Sequence, residues 1–236
     1  MMNAVKLPII GYMCSPYQEK FGIPRQPNLV KVESYIEMQA PYNNMQAFEG
    51  IDQFSHLWLI WQFHENKTKD EIFRPQVRPP RLGGNQKIGV FATRSMYRPA
   101  PIGLSVVQLN RVEKKGQSLR VYVYGSDLLD QTPILDIKPY IHYSDSIVDA
   151  QSAYAQVEPT RKSVIWSALA IQQQQHFLAN GSLNMQQIAE LEQILSLDPR
   201  PAYQNDHLRE YGLRFANFNI KFQVNEVITI HQIEPF

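Results

Sequence analysis

Four polar clusters in this chain have residue types and spacing suited to chemistry. Pro24-Arg25-Gln26-Pro27 sets a guanidinium and an amide between two prolines, whose fixed φ leaves both groups partly pre-organised. A surface loop without a role is the competing reading. His64-Glu65 follows the most apolar run, LWLIWQF, where a buried strand either opens into a pocket or simply exits to water. Arg94 and Arg98 flank Tyr97, and a guanidinium grips phosphate or carboxylate with a planar fork and stacks on bases. The alternative is a solvated basic loop. Asp127, Asp130 and Asp136 stand with Leu128, Leu129, Lys138 and Tyr140 in GSDLLDQTPILDIKPY. Such carboxylates either form structural ion pairs or receive an amine or a proton.

Between the first pair of clusters and the last lies a stretch with no acid at all. From Glu71 to Glu113 every charge is positive: Arg74, Arg78, Arg81, Lys87, Arg94, Arg98 and Arg111. Pro, Gly and aromatic residues separate them. An unopposed positive field of this kind suits an anionic ligand such as nucleic acid. Residues 1–143 carry a net charge of +5 and residues 144–236 a net −4, which assigns any polyanion site to the N-terminal part.

Other chemistries are set aside. The single cysteine, Cys14, excludes an internal disulfide, a cysteine-cluster metal site and a cysteine-held iron–sulfur cluster. The chain has no GxxxxGK[ST], no GxGxxG after a strand, no HExxH and no HxE with PCxxC. The six His residues match no common metal spacing, so no metal is expected. No apolar run reaches the length of a membrane span, and the N-terminal apolar core is too short for a signal peptide. A reduced, cytoplasmic setting is expected.

The elements that must position these residues are mainly β. Alternating or apolar runs at 7–13, 29–38, 57–63, 87–93, 104–112, 118–125 and 134–139 are separated by turn signals. Seven short strands predict a barrel or sandwich over residues 1–143. LWLIWQF is apolar on both parities, which predicts a strand buried on both faces, with a short buried helix as the alternative. Residues 144–236 read as a small α+β domain. Helical spacing covers 163–179 and 184–197, with Gly181 as a stop and Asn184 as an N-cap. Alternation returns from Tyr211, through Phe218, Ile220, Phe222 and Val224 to Ile228 and Ile230, as a closing hairpin turning at Asn225-Glu226.

In this order the segments PRQP, FSHLWLIWQFHE, RPPRLGGN, GVFATRSxxRPxPIG, GSDLLDxTPILDIKPY and DPRPAY resemble the TsaA-like (TrmO, VirR-type) tRNA methyltransferases in their two-domain gamma-proteobacterial form. The resemblance covers nearly the whole chain. It implies a β-barrel domain followed by a small C-terminal domain, and a homodimer that binds S-adenosylmethionine near its subunit interface. It also implies methylation of the exocyclic N6 of threonylcarbamoyladenosine, at position 37 beside the tRNA anticodon. Carried over by motif, the donor positions are Pro24, Arg25, Gln26, His64, Glu65, Arg94, Leu104, Asp127, Leu128, Leu129 and Asp130. Relatives often have Gln in place of Glu65 and Asn in place of Ala100.

Under that resemblance, Arg25 or Arg94 pairs with the donor carboxylate, and Asp127 or Asp130 receives its ammonium or ribose hydroxyls. Main-chain groups at Leu104 read the adenine edge. The acceptor nitrogen is a poor nucleophile, so a base helps, and Asp136 and His64 are the candidates. Lys138 and Tyr140 would orient the acceptor. Arg74, Arg78 and Arg81 are expected on tRNA phosphates, and Arg98 on the RNA beside the target base. The rival readings are a methyltransferase with another acceptor and a non-enzymatic RNA-binding barrel.

Overall fold

The computed structural model describes residues 5–66, 73–201, 204 and 206–236. The N-terminal part closes into a six-stranded barrel of β1 (Gly11–Cys14), β2 (Glu33–Met38), β3 (His56–Gln62), β6 (Ile102–Lys115), β7 (Ser118–Tyr124) and β8 (Pro133–Pro139). Their order around the barrel is β1-β2-β7-β6-β3-β8, and every pairing is antiparallel. Met13, Ile36, Leu57, Leu59, Val107, Leu119, Val121 and Val123 fill the interior, because alternate residues of each strand face inward. The expected mainly β fold is therefore the one found.

Two details of the barrel differ from expectation. Residues 87–93 are not a barrel strand. Only Ile88–Gly89 is extended (β5), and it pairs with Gln76–Val77 (β4) in a two-stranded ribbon outside the barrel. The Val90 amide bonds the Pro75 carbonyl at 2.9 Å, and a 3-10 turn over Val90–Ala92 ends the run. LWLIWQF is a strand, but it is not equally buried on both faces. Leu57, Leu59 and Trp61 are inside, whereas Trp58 and Ile60 lie on the outer wall and are partly covered.

In an antiparallel barrel alternate connections share an end. Residues 15–32, 63–101 and 125–132 connect β1 to β2, β3 to β6 and β7 to β8, so they all leave from the same end. The sequence clusters around Arg25, His64, Arg94 and Asp127 lie in these three connections.

After the short helix α1 (His142–Asp145) the chain builds a sheet of β9 (Val164–Trp166), β10 (Glu210–Phe215), β11 (Phe218–Val224) and β12 (Ile228–Pro235). The order is β10-β11-β12-β9, with β9 parallel to β12. The predicted helix over 163–179 starts late. Val164, Ile165 and Trp166 are β-branched or aromatic and pair with Ile228, Thr229 and Ile230. Ser167 then caps α2 (Ala168–Ala179) by accepting the Ala170 amide. The helix α3 (Met185–Ser196) begins at Asn184 as expected, through a capping box with Gln187. This second core takes in Tyr17, Val30 and Val32 from the connection before β2. No helix among the described residues is long and apolar enough to cross a membrane.

Candidate active site at the loop end of the barrel

The connection carrying PRQP is fastened to the end of β7. The Asn28 amide donates to the Gly125 carbonyl (2.9 Å), and the Gly125 amide reaches the Val32 carbonyl (3.3 Å). Gly125 has φ +80°, and a Cβ there would lie 2.3 Å from Asn28 Oδ1, so only glycine fits this junction. The Asn28 side chain donates to the Val106 carbonyl of β6 (2.9 Å). Pro24 is buried, Arg25 is exposed, and Gln26 Oε1 accepts from Arg94 Nη1 at 2.7 Å. Two sequence clusters nearly seventy residues apart are thus in direct contact.

Beneath them a relay runs through the barrel wall. Trp61 Nε1 donates to Ser105 Oγ (3.0 Å), and Ser105 Oγ donates to Asp127 Oδ1 (2.6 Å). Gly103 permits this arrangement, since a Cβ there would fall 2.2 Å from the Trp61 ring. Burial pushes the Asp127 carboxyl up to about 6, against the opposing pull of Ser105, its own amide and the Arg94 guanidinium. Asp127 is therefore a carboxylate with incomplete compensation, beside a cation that points to the loop end.

Leu104 offers its backbone. The bonds Phe63 N to Pro101 O (2.8 Å) and Leu109 N to Ser55 O (2.9 Å) make the odd-numbered residues of β6 the ones bonded to β3. Leu104 and Val106 accordingly turn their N–H and C=O to the other edge. There β7 pairs only from Gln108 onward, so Leu104 lies past the end of its neighbour. Its side chain is half exposed on the outer wall.

The remaining donor candidates differ in kind. Leu128 is fully buried in the barrel core, and the Leu129 carbonyl accepts from Thr132 N and Oγ1. Asp130 Oδ1 takes the Ser15 amide (2.9 Å) and its own amide donates to the Tyr17 carbonyl (2.9 Å), which holds the first connection in place. His64 and Glu65 are exposed at the loop end, with the Glu65 carbonyl accepting from Lys20 Nζ. Arg25 Nη2 donates to the Arg200 carbonyl (3.1 Å). Arg200 is buried and gripped by Asp198 through two bonds of 2.8 Å, so the DPRP segment braces the PRQP loop. The last residues of DPRPAY, Ala202 and Tyr203, lie outside the described residues.

Asp136, Lys138 and Tyr140 are not brought to these groups within one chain. Asp136 pairs with Lys138 (2.9 Å) on the outer wall, where Asp136 stands opposite Ile60 and Lys138 opposite Trp58. Tyr140 bonds the His56 carbonyl, at the end of β3 away from the loops. Arg74, Arg78 and Arg81 are exposed on or beside the β4–β5 ribbon, and Arg78 and Arg81 have no ionic partner among the described residues. Arg98 Nη1 donates to the Thr93 carbonyl (3.0 Å), which curls the loop that presents Arg94.

Ser105, Trp61 and Asn28 were not singled out from sequence. Ser105 carried a signal: it is a lone hydroxyl at an inward parity of the apolar run that opens β6, where a buried indole N–H needs an acceptor. Among the described residues no three His, Cys, Asp or Glu side chains come together to hold a metal ion. A cavity of about 460 Å³ between β9, α2 and α3 is lined by none of the site residues.

Known proteins give this arrangement a context. Residues 12–146 match the family model of the tRNA-methyltransferase O N-terminal domain, and residues 159–236 match the TrmO C-terminal domain. The chain is 38% identical over 238 residues to the tRNA (adenine(37)-N6)-methyltransferase of Escherichia coli K12, spanning 99% of this chain and 100% of that one. It is 44% identical over 214 residues to a putative S-adenosylmethionine-dependent methyltransferase, RcsF, of Pseudomonas aeruginosa, covering 89% of each. The crystal structure of TrmO from Pseudomonas aeruginosa superimposes with a TM-score of 0.80 at 32% identity, covering 99% of this chain and 100% of that one. With both family models in sequence order along one chain, and a relative matched from end to end, the protein belongs to the TrmO family.

Proposed function

We propose that the protein transfers a methyl group from S-adenosylmethionine to N6 of adenosine 37 of tRNA, and that the acceptor base is threonylcarbamoyladenosine. The observation that carries the reading is the end-to-end likeness to the Escherichia coli enzyme, together with the meeting of Gln26, Arg94 and Asp127 at one end of the barrel. The residues fit the donor. Arg94 offers a cation to its carboxylate, Asp127 an anion to its ammonium or ribose hydroxyls, and the free edge at Leu104 a main-chain donor and acceptor to its adenine. Arg25 and Gln26 hold the pocket's lip, with Arg25 set by the Arg200 carbonyl. The donor supplies a sulfonium methyl, which needs no metal because the leaving thioether is neutral.

The acceptor nitrogen gives up one proton as the N–methyl bond forms. In this reading His64 lies at the same end as the donor groups, whereas Asp136, Lys138 and Tyr140 reach a donor pocket only across a subunit interface. We therefore infer a homodimer in which the outer wall of β3, β6 and β8 faces the partner's loop end. The exposed Ile102 and Leu104 on that wall support this. A cytoplasmic setting and a division of the chain at residues 143 and 144 belong to the same reading.

Mass spectrometry of tRNA nucleosides after incubation with protein and donor tests the acceptor. A methylated threonylcarbamoyladenosine is expected, and methylation of another nucleoside alone would overturn the assignment. Mixing an inactive Asp127→Ala chain with an inactive Asp136→Asn chain tests the shared site. Partial recovery of activity is expected, and none would mean that one chain holds all the machinery.

A further inference from the structure

The acid-free arm carries two large aromatic side chains with no place in either core. Phe73 stands just before β4 and Phe91 just after β5, at 53% and 72% exposure. The ribbon register, Gln76 with Gly89 and Val77 with Ile88, brings the two flanks together, and the Val90–Pro75 bond holds them there. Their ring centroids lie 6.2 Å apart, with planes inclined by 28°. Tyr97, 54% exposed, belongs to the same arm. A stacked pair of phenylalanines hides only part of its own surface, and the part left in water adds nothing to the stability of the fold.

The surroundings say what covers this surface. No acid occurs in sequence between Glu71 and Glu113, and Arg74, Arg78, Arg81 and Lys87 are exposed on the same arm. Apolar π faces on an arm that also carries exposed cations complement an unstacked nucleobase with its phosphates. A buried face between two protein copies would gain nothing from so many like charges. A duplex presents no free base face, so the occupant is single-stranded RNA. We propose that Phe73 and Phe91 form a platform on which a splayed base of the RNA loop stacks. This rests on tRNA being the substrate and adds a base-stacking subsite outside the methyl-transfer pocket.

The test compares the wild type with Phe91→Ala and with Phe73→Ala/Phe91→Ala for binding to a synthetic anticodon stem-loop and to a plain RNA duplex. Both side chains are exposed, and unchanged donor affinity reports an intact fold. Stacking predicts a loss of stem-loop affinity of about 10- to 100-fold in the double variant, with duplex affinity nearly unchanged. The slope of log affinity against log salt stays the same, since no phosphate contact is removed. Phe91→Trp retains stem-loop binding. Equal stem-loop affinity in the double variant, with the wild type still methylating tRNA, overturns the platform alone. Dissociation of an oligomer in the double variant overturns it in favour of an interface between copies. A wild type that neither binds nor methylates tRNA overturns both the platform and the function on which it rests.

Discussion

Two neighbouring regions at one end of the barrel are built on opposite plans. The junction of residues 24–28 with 125–130, together with the Gly103–Ser105 stretch of β6 beneath it, is fastened by backbone bonds, tight glycines and a half-buried acid. The arm from Phe73 to Arg98 is a two-stranded ribbon with its aromatic and basic side chains outside. A small charged donor needs groups held in place before it arrives, because ordering them on binding would cost affinity. An RNA loop is large and deformable, so its contacts are spread, exposed and individually weak. Under the proposed function, the difference teaches that one continuous run of basic residues serves two physical tasks. Arg94 joins the rigid side through Gln26, while Arg78 and Arg81 stay with the open side.

Adding one methyl group to each region breaks the contrast most sharply. Gly103→Ala would set a Cβ 2.2 Å from the Trp61 ring and push the indole off Ser105. Destabilisation of about 3 kcal/mol or more is expected, with loss of donor binding. Gly89→Ala in the arm meets nothing within 4 Å and has no left-handed φ, so its effect should stay within about 0.5 kcal/mol. Thermal unfolding of both variants checks the pair. Similar shifts would mean that the two regions are equally packed.

Much of this organisation was legible in the sequence. Alternation and turn residues located the barrel strands, and Asn184 marked the start of α3. The motif residues at Arg25, His64, Arg94 and Asp127 lie in connections that an antiparallel barrel gathers at one end. What escaped depended on partners distant in sequence. Val164–Trp166 has helical spacing with Ala168, yet becomes a strand because β12 supplies a parallel edge more than sixty residues later. Residues 87–93 alternate like a barrel strand, but their partner is the short segment Gln76–Val77. Ser105 stayed hidden because a single serine in an apolar run reads as filler until Trp61 is known to face it. That Asp136 lies on the outer wall follows from strand register, and that Asp127 meets Ser105 follows from the path of the chain after β7, and composition carries neither.

Asp127 tests whether the rigid region gives up stability for its task. Its folded value of about 6 lies above the ordinary aspartate value of 3.8, so between those values the folded protein keeps a proton that the unfolded chain has lost. Stability therefore falls as pH rises through that window, and the cost remains in full above about 6. Asp127→Asn keeps an acceptor for Ser105 and removes the charge. At pH 8 it should stabilise the free protein by on the order of 2 kcal/mol. Its donor affinity should drop by tenfold or more. Wild-type donor affinity should decline below about pH 6, by up to tenfold per pH unit, while the variant stays flat. Chemical denaturation and donor titration across pH 5–8 read both effects. A destabilised variant, or a wild type without that decline, would remove Asp127 as the charged donor ligand.

The smallest effect per residue belongs to the open arm. Replacing Arg74, Arg78 and Arg81 together by Gln should lower the slope of log tRNA affinity against log salt by about 2–3, near one unit per phosphate contact. At physiological salt the affinity loss should be about tenfold, with donor affinity unchanged. These arginines lie on or beside the ribbon, outside the Gln26–Arg94–Asp127 group, which is why the two readouts should separate. An equal loss of donor affinity would mean that the arm closes over the donor pocket and that the two regions act as one. An unchanged slope with weaker binding would mean that these side chains hold the ribbon's shape, leaving Lys87 and Arg98 to meet the phosphates.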